Sequence, residues 1–193
     1  AVLASTRTDA FYCSVDSWHT KVFSDVTKYV AEQGISVTIP QAGDTFAFSD
    51  ASVEFLGPVV DYGDDPNEGS LVARVRYGET SFLFTGDMGF EAEDDMLSAN
   101  VDVSATVLKV AHHGSAGSSS SEFLEAVNPQ YAVISVGANN DYGHPTEATL
   151  NRLAALNIPV YRTDLLGEIA ASSDGKTVTI TSDTENAARE EPS

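Results

Sequence analysis

FLFTGD at Phe82–Asp87, VLKVAHHGSAGSSSSEFL at Val107–Leu124 and AVISVGANNDYGHP at Ala132–Pro145 decide how this chain folds. Each starts as a short β-like apolar run and breaks off into glycine and polar residues. Three of the four histidines and one aspartate fall just behind those runs. In open α/β sheets ligands are gripped at the carboxyl ends of strands, so this clustering marks a site.

Outward from that stretch, Leu71–Tyr77 and Ser81–Thr85 flank Gly78-Glu79-Thr80 and read as a β-hairpin. Glu91–Leu97 reads as a short acidic helix and Thr106–Ala111 as the next strand. A second helix is expected from Ser119, with Glu122 completing a capping box. After the strand Tyr131–Val136, Pro145 suits the first position of a helix carrying Leu150, Leu153 and Leu156. Val160–Arg162 and a hairpin, Glu168–Ser172 with Thr177–Thr181, close the domain. On the amino-terminal side, Ala10–Ser14 reads as a strand. Thr20–Glu32 has the apolar spacing of a helix, stopped by Gly34. Ser36–Ile39, Thr45–Phe48 and Val53–Leu56 read as strands, and Gly57–Gly69 as a loop. Hairpins mixed with strand–loop–helix units give an α/β domain with mixed sheets over residues 1–182, followed by an acidic tail, 183–193, expected to be disordered.

At 193 residues the chain has room for one domain with a real core. No apolar run approaches the ~20 residues of a membrane span, and AVLASTRTDAF lacks the basic-then-apolar character of an export signal. The lone Cys13 rules out an internal disulfide framework and a cysteine zinc knuckle. Ten basic against 29 acidic residues leave a formal charge of −19, the reverse of an electrostatic nucleic-acid footprint. A phosphate-bearing substrate would need bound metal to neutralise it locally; otherwise the acidity is a solvated surface.

Asp87 follows Thr85-Gly86, where glycine lets the backbone turn sharply and expose a carboxylate suited to divalent ions. The structural alternative is an N-cap for the acidic helix. His112 and His113 sit behind VLKVA, and neighbouring residues at a strand end point apart. One ring can ligate metal while the other meets substrate. Gly114 and the hydroxyl run Ser115–Ser121 offer backbone N–H groups as an anion seat. His144, in Tyr142-Gly143-His144-Pro145, is placed to contact substrate or shuttle a proton. His19 reads as structural.

The ordered set of TGD, VLKVxHHGS with a serine-rich helix start, AVISVG–N–YGHP and then YRTD resembles the metallo-β-lactamase fold. Within it the set is similar to the hydrolase domain of ComEC-type competence proteins and their secreted relatives, over about Phe11 to Thr181. The resemblance implies an αββα sandwich with a hydrolytic centre of one or two zinc or manganese ions in the intact domain, with none required of this chain alone. It places Asp87 and His113 as metal ligands and His112 and His144 as catalytic residues facing a scissile phosphate. Ser115, Asn67 and Tyr142 are assigned to substrate. The implied activity is that of a metal-dependent phosphodiesterase or nuclease acting on small phosphodiesters or single-stranded DNA, outside the cytoplasm or at the cell surface.

The chain departs from the family pattern at two places. The ligand cluster HxHxDH or HxDxDH occurs nowhere in it, so the amino-terminal third of the fold is expected to be missing. The histidine usual before the TGD strand pair is replaced near Asn67-Glu68-Gly69-Ser70. Two protein ligands fall short of the three or four of a hydrolytic zinc site. The expectation is therefore an enzyme when intact and an inactive piece alone, which would associate with the missing segment. The competing reading is a non-catalytic binding domain with a degenerate metal centre.

Overall fold

The computed structural model describes residues 2–184, so residues 185–193 of the expected tail lie outside the described residues. The chain divides into two compact units between Gln41 and Ala42.

In the first unit, α1 (Val2–Ser5) and β1 (Phe11–Tyr12) precede α2 (Lys21–Glu32), and β2 (Val37–Thr38) pairs parallel with β1. Helix α2 starts where its spacing predicts, with Thr20 Oγ1 accepting from the N–H of Phe23, and Val30 is its buried residue. Gly34, with φ +75°, takes the chain out of the helix. The side chain of Gln33 ties the segment together: its amide donates to the carbonyls of Leu3 and Thr6 and its oxygen accepts from the N–H of Thr8.

The second unit is built on a seven-stranded mixed sheet, so the α/β class read from the sequence is what the chain adopts. Strands β3 (Thr45–Phe48), β4 (Ala51–Gly57), β5 (Val72–Tyr77) and β6 (Thr80–Phe84) run antiparallel. β7 (Val107–Lys109), β8 (Tyr131–Ile134) and β9 (Val160–Arg162) then add parallel to β6, in that order. Parallel neighbours need crossovers, supplied by α3 (Phe90–Ser98), α4 (Ser121–Val127) and α5 (Glu147–Ala155). A short α6 (Thr163–Leu166) leads to the hairpin β10 (Ile169–Ser173) with β11 (Val178–Ser182). Among the described residues no helix is long and apolar enough to cross a membrane.

Strand alternation divides the sheet into two faces. Register sets Leu83 beside Leu108 and Leu108 beside Ala132, all fully buried. They form one core with Met88, Ala92 and Met96 around α3, Phe123, Leu124 and Val127 of α4, and Leu153 of α5. Each such large side chain contributes ~1.5–3 kcal/mol by leaving water. The opposite face carries the row Phe84, Lys109, Val133 and Tyr161, in register across β6 to β9.

Several boundaries differ from the sequence reading. The ladder of β7 stops at Lys109, short of Ala111, because His112 and His113 take left-handed φ values of 48° and 56°. Ser120, not Ser119, caps α4, its hydroxyl accepting from the N–H of Phe123. Thr146 caps α5, so Pro145 lies before the helix and not at its first position. The expected strands at Ala10–Ser14 and Ser36–Ile39 shrink to two residues each.

Candidate metal and phosphate centre

Because β6, β7 and β8 run parallel, their carboxyl ends lie side by side, and the three motifs meet there. The first is Thr85-Gly86-Asp87. Gly86 has φ +55°, and a Cβ on it would come within 2.7 Å of the Ser70 Cβ. That close approach lets the Ser70 hydroxyl accept the Asp87 N–H at 3.0 Å. Asp87 does not cap the acidic helix. Gly89 is the N-cap of α3, and the Glu68 carboxylate accepts from the N–H groups of Gly89 and Ala92 at 3.2 and 2.8 Å. The structural alternative for Asp87 is thereby removed, and its carboxylate is left for other work.

The second motif turns through three successive left-handed residues, His112, His113 and Gly114. Residues other than glycine are uncommon there, though histidine is among those found more often, and two in succession are held in place by their surroundings. The His112 N–H donates to the Gly86 carbonyl at 3.1 Å, joining this motif to the first. Gly114 meets the third: a Cβ there would sit 2.5 Å from the Pro145 Cβ. The Thr146 N–H donates to the Gly114 carbonyl at 2.9 Å.

The two rings part, as the sequence reading expects. His113 places Nδ1 2.6 Å from the Ser135 carbonyl and Nε2 3.5 Å from Asp87 Oδ1. A carbonyl only accepts, so Nδ1 carries a proton and Nε2 is the nitrogen turned toward the carboxylate. At 3.5 Å the pair is too long for a good hydrogen bond. Both atoms can, however, stand ~2.0–2.2 Å from one ion. A ligating histidine whose other nitrogen is fixed by a carbonyl is the usual outer-shell arrangement at metal sites. The pair can thus contribute two donors to a divalent ion, short of the three or four protein ligands of a zinc site. Among the described residues no group of three or more His, Cys, Asp or Glu side chains converges on one point.

His112 turns the other way, its ring 5.7 Å from that of His144, edge-on, and 6.5 Å from that of His113. Asn140 fixes His144 from both sides of the backbone, accepting its N–H at 3.1 Å and donating to its carbonyl at 2.7 Å. Burial holds the His144 pKa below the ordinary imidazole value, and the neighbouring His112 and His113 push it the same way, against Asp87. Both effects favour the neutral ring of His144. The exposed Tyr142 ring stacks on it at 5.9 Å. Asn67 and Ser115 bond within their own turns: the Asn67 N–H donates to Asp65, and the Ser115 hydroxyl accepts from the N–H of Gly117.

The expected anion seat on the serine loop is already filled. Glu93 of α3 is fully buried, and its carboxylate accepts the N–H groups of Ser119 and Ser120. From the other side the Arg152 guanidinium donates to the carbonyls of Ala116, Ser118 and Ser119 and lies over the Phe90 ring. The loop behind the histidines is thus clamped by protein charges, with the N–H groups of Ser119 and Ser120 already engaged by Glu93. Sequence reading also missed Lys109, half-buried behind Asp87. Its ammonium donates to the Gly86 carbonyl at 3.0 Å and lies 4.0 Å from Asp87 Oδ1. Burial lowers its pKa, which the Asp87 charge opposes.

Known proteins resemble this chain over much of its length. A family model described as the metallo-beta-lactamase superfamily matches residues 15–138, which takes in Asp87 and both histidines of the pair and stops short of His144. ComE operon protein 3 of Bacillus subtilis (strain 168) is 35% identical over 144 residues, 75% of this chain and 19% of its own. Competence protein ComA of Neisseria gonorrhoeae is 44% identical over 117 residues, 60% of this chain and 17% of its own. Recombination protein 2 of Haemophilus influenzae is 33% identical over 134 residues, 68% and 16%. The chain spans about a fifth of the length of these curated relatives. With the strand-tip aspartate and histidines in place and the match covering more than half its length, the chain belongs to the metallo-beta-lactamase superfamily.

Proposed function

We propose that this chain carries part of the catalytic centre of a metal-dependent phosphodiesterase, of the kind that cleaves small phosphodiesters or single-stranded DNA. The observation that carries the reading is the Asp87–His113 pair, with a 3.5 Å gap and the far ring nitrogen fixed on the Ser135 carbonyl. Asp87 and His113 would hold a zinc or manganese ion together with ligands from outside the described residues. When bound, such an ion supplies Lewis-acid stabilisation of the charge that develops on a phosphoryl oxygen.

The chain's own residues do the rest. His112 and His144, whose rings meet edge-on, face the phosphate, and neutral His144 accepts a proton or returns it to the leaving oxygen. Tyr142 lends its exposed ring to the substrate beside His144. The −19 charge disfavours long polyanions except where positive charge is concentrated, so short or single-stranded substrates fit best. Its competence-protein relatives support a place at or outside the cell envelope.

The test is hydrolysis of bis-p-nitrophenyl phosphate and of a single-stranded oligonucleotide by the complete natural protein with zinc or manganese. Activity should vanish on chelation and in Asp87→Ala. Activity indifferent to both would leave the non-catalytic binding reading in its place.

A further inference from the structure

We infer that Tyr142, stacked on His144, is a platform for a planar ring. The site then prefers phosphodiesters that carry a nucleobase or another aryl group next to the scissile phosphate. The inference rests on reading His144 as a residue that faces that phosphate. The loop between β8 and α5 turns back on itself around one side chain. The Asn140 amide donates to the carbonyls of Gly137 and His144 at 3.1 and 2.7 Å. Its oxygen accepts from the N–H groups of Tyr142 and His144 at 3.2 and 3.1 Å. Asn139 and Gly143 take left-handed φ values of 59° and 70°. A Cβ on Gly143 would meet nothing within 4 Å, so glycine answers to the backbone turn there and not to crowding. The turn sets the Tyr142 and His144 rings side by side, 5.9 Å between centroids and 28° between planes. That is within the range of aromatic pairs.

Tyr142 is nonetheless 83% exposed, more than any other large hydrophobic side chain among the described residues. An aromatic ring in water gains by being covered. This one stands on a backbone already fixed by Asn140, so a ligand that covers it spends little on ordering the loop. His144 in turn meets His112 edge-on at 5.7 Å. With the phosphate at His112 and His144, the next ring outward is Tyr142, and what it meets is the group esterified to that phosphate. Stacking on an aromatic ring needs a π-face and no counter-charge. It therefore suits a chain of formal charge −19, which has little long-range attraction to offer an anion. A bare sugar or aliphatic ester has no such face and would leave the Tyr142 ring in water.

The experiment is calorimetric binding to the complete natural protein, stripped of metal so that nothing turns over. The probes are a thymidine tetranucleotide against its tetrahydrofuran abasic counterpart, and diphenyl against dibutyl phosphate, each pair equal in charge. Wild type should bind the ring-bearing member about tenfold tighter or more. Tyr142→Ala should lose that preference, whereas Tyr142→Phe and Tyr142→Trp should keep it. Because the side chain is exposed, all three variants should melt with wild type. Preference within one pair names the source, a nucleobase or a simple aryl ester; preference within both makes any planar ring a ligand. Equal binding within both pairs by wild type, or an unchanged preference in Tyr142→Ala, would overturn the inference. The hydrolytic reading fails separately. With zinc or manganese restored, no cleavage of the tetranucleotide would remove that reading and leave the ring preference standing. Cleavage of the tetranucleotide and its abasic counterpart with equal kcat/KM would keep it and overturn the platform.

Discussion

Glu93→Ala removes a carboxylate that has no exposed surface and accepts two backbone N–H groups, those of Ser119 and Ser120. Those donors belong to the loop that follows His112 and His113, and no other acceptor for them lies in the clamp. Hydrogen bonds to a charged group are worth ~1.5–3 kcal/mol each, and an orphaned buried donor costs its desolvation in full. Two of them, offset by water entering the space left by the side chain, give a loss of about 4 kcal/mol. For a chain of this size one kcal/mol moves the midpoint by ~2–4 °C, so the melting temperature should fall by roughly 12 °C. Far-UV circular dichroism, by heat and by urea, measures both quantities. Glu93→Gln keeps one acceptor oxygen but sets an amide N–H against a backbone N–H, so it should recover no more than half of the loss. Melting of Glu93→Ala within about 2 °C of wild type would refute the reasoning. It would mean that water satisfies those N–H groups as well as the carboxylate does.

Gly114→Ala should cost about 2–3 kcal/mol, because φ of +84° is unfavourable for alanine and its Cβ would meet Pro145. Urea unfolding reads the cost, and a loss below about 0.5 kcal/mol would show that the His144–Pro145 segment gives way freely. Asp164 accepts both a 3.0 Å and a 2.6 Å bond from Arg162, which hold its carboxyl below the ordinary range, chiefly through those bonds. A carboxylate lowered by folding stabilises the protein above its unfolded pKa of ~3.9 and loses that contribution as pH falls through the folded value. Asp164→Asn should therefore be less stable than wild type at neutral pH and converge with it in acid. Parallel stability curves from pH 6 to 2 would contradict this.

What the sequence discloses, and what it hides, follows from how local each cause is. FLFTGD, VLKVAHHG and AVISVG announce their strands because apolar runs end abruptly in glycine, and parallel pairing then brings the tips together. The parting of His112 and His113 is local too, though it comes from the left-handed turn they share and not from strand alternation. The extent of β7 is not: VLKVA stays apolar past Lys109, and only the left-handed turn at His112 shows where the ladder ends. In the run Ser118–Ser121 every residue is a competent cap, so the choice of Ser120 is made from a distance, by Glu93 and Arg152. The same pair closes the anion seat that the serines suggest. Lys109 in VLKVA has the look of a solvent-facing charge in an alternating strand. Its inward turn depends on the Gly86 carbonyl, 23 residues away. Likewise Ser70 carries no signal in its own segment, yet its hydroxyl sets the backbone of Asp87.

The most direct measurement is an anomalous difference map from crystals of the complete natural protein grown with manganese. The account predicts a peak bonded to an Asp87 carboxylate oxygen and to His113 Nε2, with His113 Nδ1 still on the Ser135 carbonyl. A peak held by His112 or His144 in their stead, or no peak beside Asp87, would contradict it.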